Sequence, residues 1–364
     1  MTTQTTAPAA DTKNSMFEGE ETILRIKDLH TYFYTDIGVA RALNGVNFEI
    51  PRGKVMGVVG ESGCGKSVTS LSIMRMVTKP GKIVKGEITY FRKDRETGDI
   101  TPIDLTSLEK MGPAMRAIRG AEMSMIFQEP MTSLNPSYTV GDQIMEAIIL
   151  HQGADRNEAK EKAIEILTSV GMANPALVVN RYPHELSGGM RQRAMISLAL
   201  SCTPQILFAD EPTTALDVTT EAQILDVMRD LQQRINMTII FITHNLGVVA
   251  QMCDYVTVMY LGRVVEQATV DDLYYQPKHP YTKALLRSIP HVGSHQKERL
   301  QPIRGVVPDP YSKVSGCPFH PRCNSAMRGT CDVKVPGVTM VEKNHAVRCF
   351  LYSDVEEEDF YYAE

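Results

Sequence analysis

The sequence predicts an α/β fold built on a mostly parallel sheet, and three observations carry that prediction. Short apolar, β-rich runs recur along the chain: "KVMGVVG", "AEMSMIF", "QILFAD", "MTIIFIT" and "YVTVMYLG". Stretches with helical periodicity stand between them. The first run ends in a glycine-rich turn that leads directly into a helical pattern, "KSVTSLSIMRMV". This is the βαβ rhythm of a parallel sheet.

Taken in order, residues 1–20 are polar and read as a solvated, disordered tail. They lack a basic n-region and an apolar h-region, so no secretory leader is expected. "ILRIKDL" from Ile23 and "NGVNFEI" from Asn44 read as strands joined by a polar turn. The stretch from Val140 to about Tyr182 is mostly helical, part of an insertion placed at about 129–202. The α/β domain spans 21–270. An extension, 271–350, follows, and after about Pro290 it decays into Pro- and Gly-bearing, irregular sequence. Residues 351–364, with "DVEEEDFYYAE", form an acidic tail.

Composition excludes some classes. A chain of 364 residues allows two or three domains. With 43% hydrophobic residues, 22% charged and a net charge of −5, there is no electrostatic case for wrapping nucleic acid. No apolar run approaches the roughly 20 residues that span a bilayer. The chain is therefore expected to be soluble and cytoplasmic, and any membrane span must come from another chain. A reducing compartment disfavours disulfides. Cys64, Cys202 and Cys253 read as reduced, packed thiols.

"GESGCGKS", Gly60 to Ser67, fits G-x-x-x-x-G-K-[ST] between a strand and a helix. Gly63 and Gly65 let backbone N–H groups converge on phosphates at a helix N-terminus. Lys66 should reach the β- and γ-phosphates, and Ser67 should ligate Mg²⁺. The bland alternative, a glycine turn with a surface lysine, does not explain the flanking strand and helix. "ILFADEP" brings Asp210 out at the carboxyl end of a buried strand, where α/β sheets place ligands. That carboxylate would hold Mg²⁺ through its water shell, and Glu211 would polarise an attacking water. "LSGGMRQR", Leu186 to Arg193, sets a serine and paired glycines before a helix, again facing an anion. One chain needs one phosphate cradle, so a second points to a partner's nucleotide.

In the order P-loop, LSGG, apolar strand and Asp-Glu, the chain resembles an ABC-transporter ATPase from about Ile23 to Gln267. The resemblance implies a P-loop nucleotide-binding domain with a mostly parallel core sheet, an antiparallel β subdomain and a helical subdomain. It places ATP against Phe33 (Tyr32 and Tyr34 remaining open for adenine stacking), Gly60, Ser62, Gly63, Cys64, Gly65, Lys66, Ser67, Val68, Gln128 and Asp210. It gives Gln128 to Mg²⁺ and water, His244 to the γ-phosphate, and Ser187, Gly188, Gly189 and Asp217 to the partner's site across a dimer interface. Glu211 and His244 are the implied catalytic groups. Met190, Asn245 and Glu129 depart from the commonest family residues without removing a catalytic group.

"MIFQEPMTSLNPSYTVGDQIMEAI", "RYPHELSGGMRQR" and "QPKHPYTKALL", with its His279-Pro280-Tyr281, are similar to the ATPases of dipeptide and oligopeptide permeases. That likeness implies an ATP-hydrolysing importer subunit, peripheral on the cytoplasmic face of the inner membrane. Its implied partners are a second, non-identical ATPase, two transmembrane permeases and an extracytoplasmic peptide-binding protein, with no nucleic acid. Rival readings are an importer of nickel chelates or haem, a regulatory iron–sulfur sensor, and a soluble ABC ATPase of DNA or ribosome processes. The last typically carries a coiled coil or tandem cassettes, whereas this chain has one P-loop, one LSGG and no sustained heptads.

Four of the seven cysteines, Cys317, Cys323, Cys331 and Cys349, crowd into the extension. Their spacing, with five, seven and seventeen residues between successive cysteines, leaves iron–sulfur, zinc and unliganded thiols open. The family resemblance implies a [4Fe–4S] cluster that cross-links the extension, so losing one ligand should unfold the tail rather than disturb the ATPase core. His320 and His345 are nearby rivals as ligands, read as solvent-facing loop residues.

Overall fold

The computed structural model describes residues 16–94, 96–128, 133–214, 216–288, 303–352 and 356–357. They fall into two compact units. One comprises the residues up to 52, 56–107 and those from 244 onward; the other comprises 53–55 and 108–243. Glu129, most of the expected N-terminal tail and most of the acidic tail lie outside the described residues.

In the first unit, strands Thr22–Thr35 and Gly38–Pro51 form a long antiparallel hairpin. The first runs well beyond "ILRIKDL" because "HTYFYT", rich in aromatic and β-branched residues, stays paired with Gly38–Pro51 out to Thr35; Tyr32 is buried and Tyr34 exposed. Strand Gly81–Lys93 pairs with the other edge of Thr22–Thr35 and carries Ile100–Asp104 beside it. This is the antiparallel subdomain that the resemblance implied. A second layer starts at the fully buried strand Val55–Val59, parallel to Tyr255–Tyr260. Antiparallel Arg263–Thr269, His345–Val347 and Thr339–Glu342 follow in that order. The extension, expected to be irregular, thus adds two strands to the sheet. At three and four residues they are too short to show a period in sequence. Val59, Val249, Val258, Tyr260, Tyr281 and Phe319 share one buried cluster, so the extension and the strand before the glycine loop have a common core. Phe17, inside the stretch read as a tail, is fully buried, with its ring centroid 4.2 Å from that of Tyr255.

The second unit holds parallel strands Met123–Ile126, Ile206–Asp210 and Thr238–Ile242, with Ile206–Asp210 in the middle. Every residue of the last two is buried, which is why they read as unbroken apolar runs. The helical insertion contains Val140–Gln152, Arg156–Ser169, Pro175–Val178 and Gly188–Leu200. Thr139 and Asp155 cap the first two by accepting backbone N–H bonds. Gly141 is required where its helix meets the next segment, since a Cβ there would lie 2.4 Å from the Val179 carbonyl oxygen. Helix Val218–Ile235 buries Ile224, Leu225, Met228 and Leu231 on one face and ends at Asn236 in the left-handed region. Among the described residues no helix is long and apolar enough to cross a membrane.

Candidate nucleotide site and the cysteine extension

In the first unit, the glycine loop leaves the end of Val55–Val59 with no room for side chains. A Cβ on Gly60 would lie 2.3 Å from the Met259 carbonyl oxygen, and one on Gly65 2.6 Å from that of Ala42. Both glycines have positive φ, +152° and +104°. Gly63, at φ +78°, faces open space. Gly65 starts helix Lys66–Ile73 with no side-chain cap, so the first N–H groups of that helix have no side chain in front of them. Lys66 is buried, and its ammonium donates to the carbonyls of Gly60 (2.8 Å) and Glu61 (3.2 Å). An uncapped N-terminus, a glycine open to approach and a buried ammonium resting on loop carbonyls fit a bound phosphate chain. Ser67 and Val68 open the helix half-buried, while Ser62 is exposed. Cys64 is buried; burial pushes its thiol up, outweighing the pull of Lys66. Its Sγ packs inside the loop, 3.9 Å from Lys66 Nζ.

Of the aromatic candidates, Tyr32 is buried and donates its hydroxyl to Asn44 Oδ1 at 2.9 Å, which removes it from stacking on a base. Phe33 is half-buried and Tyr34 exposed, with Lys82 Nζ 4.6 Å from the Tyr34 ring centroid. His244 is exposed, just after the end of Thr238–Ile242.

In the second unit, Asp210 is buried at the end of its strand. Glu211 turns the chain at φ +47°, a strained angle for a side chain with a Cβ. Its N–H donates to Ile242 O (2.9 Å), and its Oε2 accepts from Gln128 Nε2 (2.9 Å) and Thr214 Oγ1 (3.0 Å). Two donors thus orient the expected base. Thr214 carried no signal in the sequence reading.

Ser187 caps helix Gly188–Leu200, its Oγ accepting from Met190 N–H at 3.4 Å. A Cβ on Gly188 would meet nothing within 4 Å, and one on Gly189 would come 3.0 Å from Thr220 Cγ2. Asp217 caps helix Val218–Ile235, accepting from Thr219 N–H (3.1 Å), Thr220 N–H (3.0 Å) and Thr220 Oγ1 (2.7 Å). The Thr220 backbone bond, first among these, holds the Asp217 carboxyl below its usual range. Two helix N-termini assigned to a partner's nucleotide therefore stand side by side. Gln192 donates to Pro212 O, tying the LSGG helix to the loop just after Glu211.

The four extension cysteines are free thiols. Cys317 N–H donates to Cys331 O (2.8 Å), and Met327 N–H donates to Cys331 Sγ (3.4 Å). Burial raises Cys317 to about 12, with the charges of Cys349, Cys331 and Cys323 adding to it. Cys349, raised first by burial, stands at about 11. The other three all act electrostatically on Cys317, so the four are neighbours. Even so, among the described residues no three His, Cys, Asp or Glu side chains are placed to hold a metal ion, so the expected four-thiolate ligand set is not assembled. Burial favours the neutral thiols, opposed in part by backbone N–H groups of Phe319 at Cys317, Ser325 at Cys323, Leu351 at Cys349 and Met327 at Cys331. His345 is not a solvent-facing residue either: it is fully buried, with Nε2 2.8 Å from Glu266 Oε1. His320 Nδ1 lies 3.0 Å from Cys317 O.

Known protein families match two stretches of the chain. Residues 43–214 match the ABC transporter family, and residues 265–331 match the family "Oligopeptide/dipeptide transporter, C-terminal region". A probable peptide ABC transporter ATP-binding protein of Sinorhizobium fredii is 49% identical, over 92% of this chain and 96% of its own length. The oligopeptide transport ATP-binding protein AppD of Bacillus subtilis is 48% identical, over 92% and 98%. Among solved structures, a dimeric ATP-binding cassette in a post-hydrolysis state with ADP and Pi is 25% identical. It covers 68% of this chain and 98% of that one, with a TM-score of 0.58. The chain belongs to the ABC-transporter ATPases, in the branch that carries the oligopeptide/dipeptide transporter C-terminal region.

Proposed function

We propose that the chain is the ATP-hydrolysing subunit of a membrane importer for dipeptides or oligopeptides. The observation that carries the reading is a glycine loop with an uncapped helix N-terminus and a buried lysine, in a chain that also matches the transporter-specific C-terminal region. Lys66 and the loop amides bind the phosphates, and Ser67 and Gln128 hold Mg²⁺, with Asp210 acting through its water shell. Mg²⁺, when bound, neutralises charge on the phosphate oxygens. Glu211 takes the proton of the attacking water, held in place by Gln128 and Thr214. His244 steadies the γ-phosphate, and Phe33 or Tyr34 stacks on the base. Ser187, Gly188, Gly189 and Asp217 serve the nucleotide of a partner ATPase, which the reading takes to be non-identical. Two transmembrane permeases and an extracytoplasmic peptide-binding protein complete the assembly, with this chain peripheral on the cytoplasmic face of the inner membrane.

The [4Fe–4S] reading of Cys317, Cys323, Cys331 and Cys349 rests on the resemblance and on the crowding of the thiols. It requires them to close in further than they stand, and no step of hydrolysis is routed through it. The functional reading is tested by uptake of labelled peptides of two to five residues into proteoliposomes carrying the assembled transporter. ATP-dependent uptake that Glu211→Gln abolishes is expected; uptake indifferent to that change would overturn the reading.

A further inference from the structure

The P-loop's first variable residue is held by the C-terminal extension, not by its own neighbours alone. Glu61 follows Gly60, and its carbonyl accepts from Lys66 Nζ and from Cys64 N–H. Its other polar groups go to the extension. Its N–H donates to the Tyr281 hydroxyl at 2.9 Å, and Tyr281 is fully buried. Its carboxylate accepts from the two terminal guanidinium nitrogens of Arg322, Nη1 and Nη2, at 2.6 and 3.0 Å. That fork–fork geometry is the strongest form of ion pair. The Arg322 side chain is 4% exposed and that of Glu61 24%. Arg322 is fixed in turn by donating to Arg304 O (2.9 Å) and Tyr260 OH (3.3 Å). It sits at the end of the short turn His320–Arg322, between Cys317 and Cys323. Rings of Tyr260, Tyr281 and Phe319 pack beneath it, with centroids 4.8 to 5.3 Å apart.

An acidic side chain in a phosphate loop is a liability, because it repels the ligand and competes for the loop's lysine. Pairing it with a buried arginine removes both effects. We propose that Arg322 and Tyr281 are positioning residues for ATP: they hold Glu61 turned into the extension and cancel its charge, leaving Lys66 and the loop amides for the phosphates. The inference rests on the reading of Gly60–Ser67 as the ATP cradle. It also gives the cysteine-bearing turn a direct path to the nucleotide through a single side chain, where the sequence suggested a tail independent of the core.

The pair makes opposite predictions for its two members. In the assembled full-length transporter, Arg322→Met exposes the loop to an unpaired carboxylate and should raise KM for ATP about 5- to 30-fold, with kcat within about threefold of wild type. Glu61→Gln leaves the arginine charge beside the loop and should lower KM about 2- to 5-fold. The double variant Glu61→Gln/Arg322→Met should return KM to within about threefold of wild type. A purely structural pair would raise KM in both single variants and show no rescue, and that result would overturn the proposal. Should Arg322→Met fail to fold, the direction of the Glu61→Gln shift decides alone: a fall supports the proposal and a rise rejects it. Lys66→Ala is the control for the underlying reading. Wild type that binds ATP no better than Lys66→Ala would indict the cradle itself, not the clamp.

Discussion

His279 links the same extension to pH. It is 1% exposed, and its Nδ1 accepts the Tyr281 N–H at 3.0 Å, capping helix Pro280–Arg287. Its backbone N–H donates to Glu266 Oε2 at 2.9 Å. A ring nitrogen that must accept cannot be protonated without losing the cap. Burial is the largest influence and pushes the ring down to about 4, with Lys283 adding to that and Glu266 opposing it. In the unfolded chain the ring titrates near 6.5. As pH falls below that value the unfolded state binds a proton that the folded state refuses until about 4, so stability is lost across this window. A gap of about 2.5 units at 1.36 kcal/mol each gives about 3 kcal/mol as an upper bound. Glu266, raised by burial but lowered further by its hydrogen bonds, loses stability in the same direction at lower pH. The assay is therefore a difference between wild type and His279→Asn, which keeps a side-chain acceptor for the cap and removes the titration. The chain has no tryptophan, so urea unfolding should be followed by circular dichroism, alongside hydrogen exchange of residues 281–287. At pH 7.5 the variant should be less stable by about 1–3 kcal/mol through lost ring packing. Between pH 6.5 and 4 it should lose about 3 kcal/mol less than wild type. Parallel pH profiles for the two proteins would refute the argument.

Three further outcomes are expected. Glu211→Gln keeps an oxygen to accept from Gln128 and Thr214, so nucleotide affinity should stay within about threefold while turnover at this site drops about 100- to 10,000-fold; near-normal ATPase activity of the complex would remove Glu211 from its role. Gly188→Asp places its side chain in open space, so the isolated chain should fold and bind MgATP normally. The assembled complex should lose most of its turnover, whereas a collapse of isolated-chain affinity would mean the LSGG segment serves its own nucleotide. On the cluster reading, the complex purified without oxygen should be brown and contain iron, and Cys323→Ser should be pale; stoichiometric zinc, or no metal at all, would reject the cluster.

What the sequence by itself determined is the chemistry that lies in contiguous segments. A phosphate loop is eight consecutive residues between a strand and a helix, and its glycines are dictated by backbone approach, so Gly60 to Ser67 could be read directly. Asp210 and Glu211 were legible because a run of buried residues must end somewhere, and ligands gather at that end. The strands at Ile23 and Asn44 and the helical stretch from Val140 were legible in the local pattern, whereas the antiparallel subdomain was implied only by the family resemblance. Tertiary structure decided what no period or spacing encodes. It set Gln128 against Glu211, 83 residues away, and chose Thr214 as the second donor. It buried Tyr32 and left Tyr34 exposed. It joined Glu61 to Arg322 across 261 residues, and it left the four cysteines short of a ligand set. Each of these depends on which strands lie next to one another in the sheet. That order is fixed by the burial of whole faces, so a side chain's distant partner is invisible until the faces are packed.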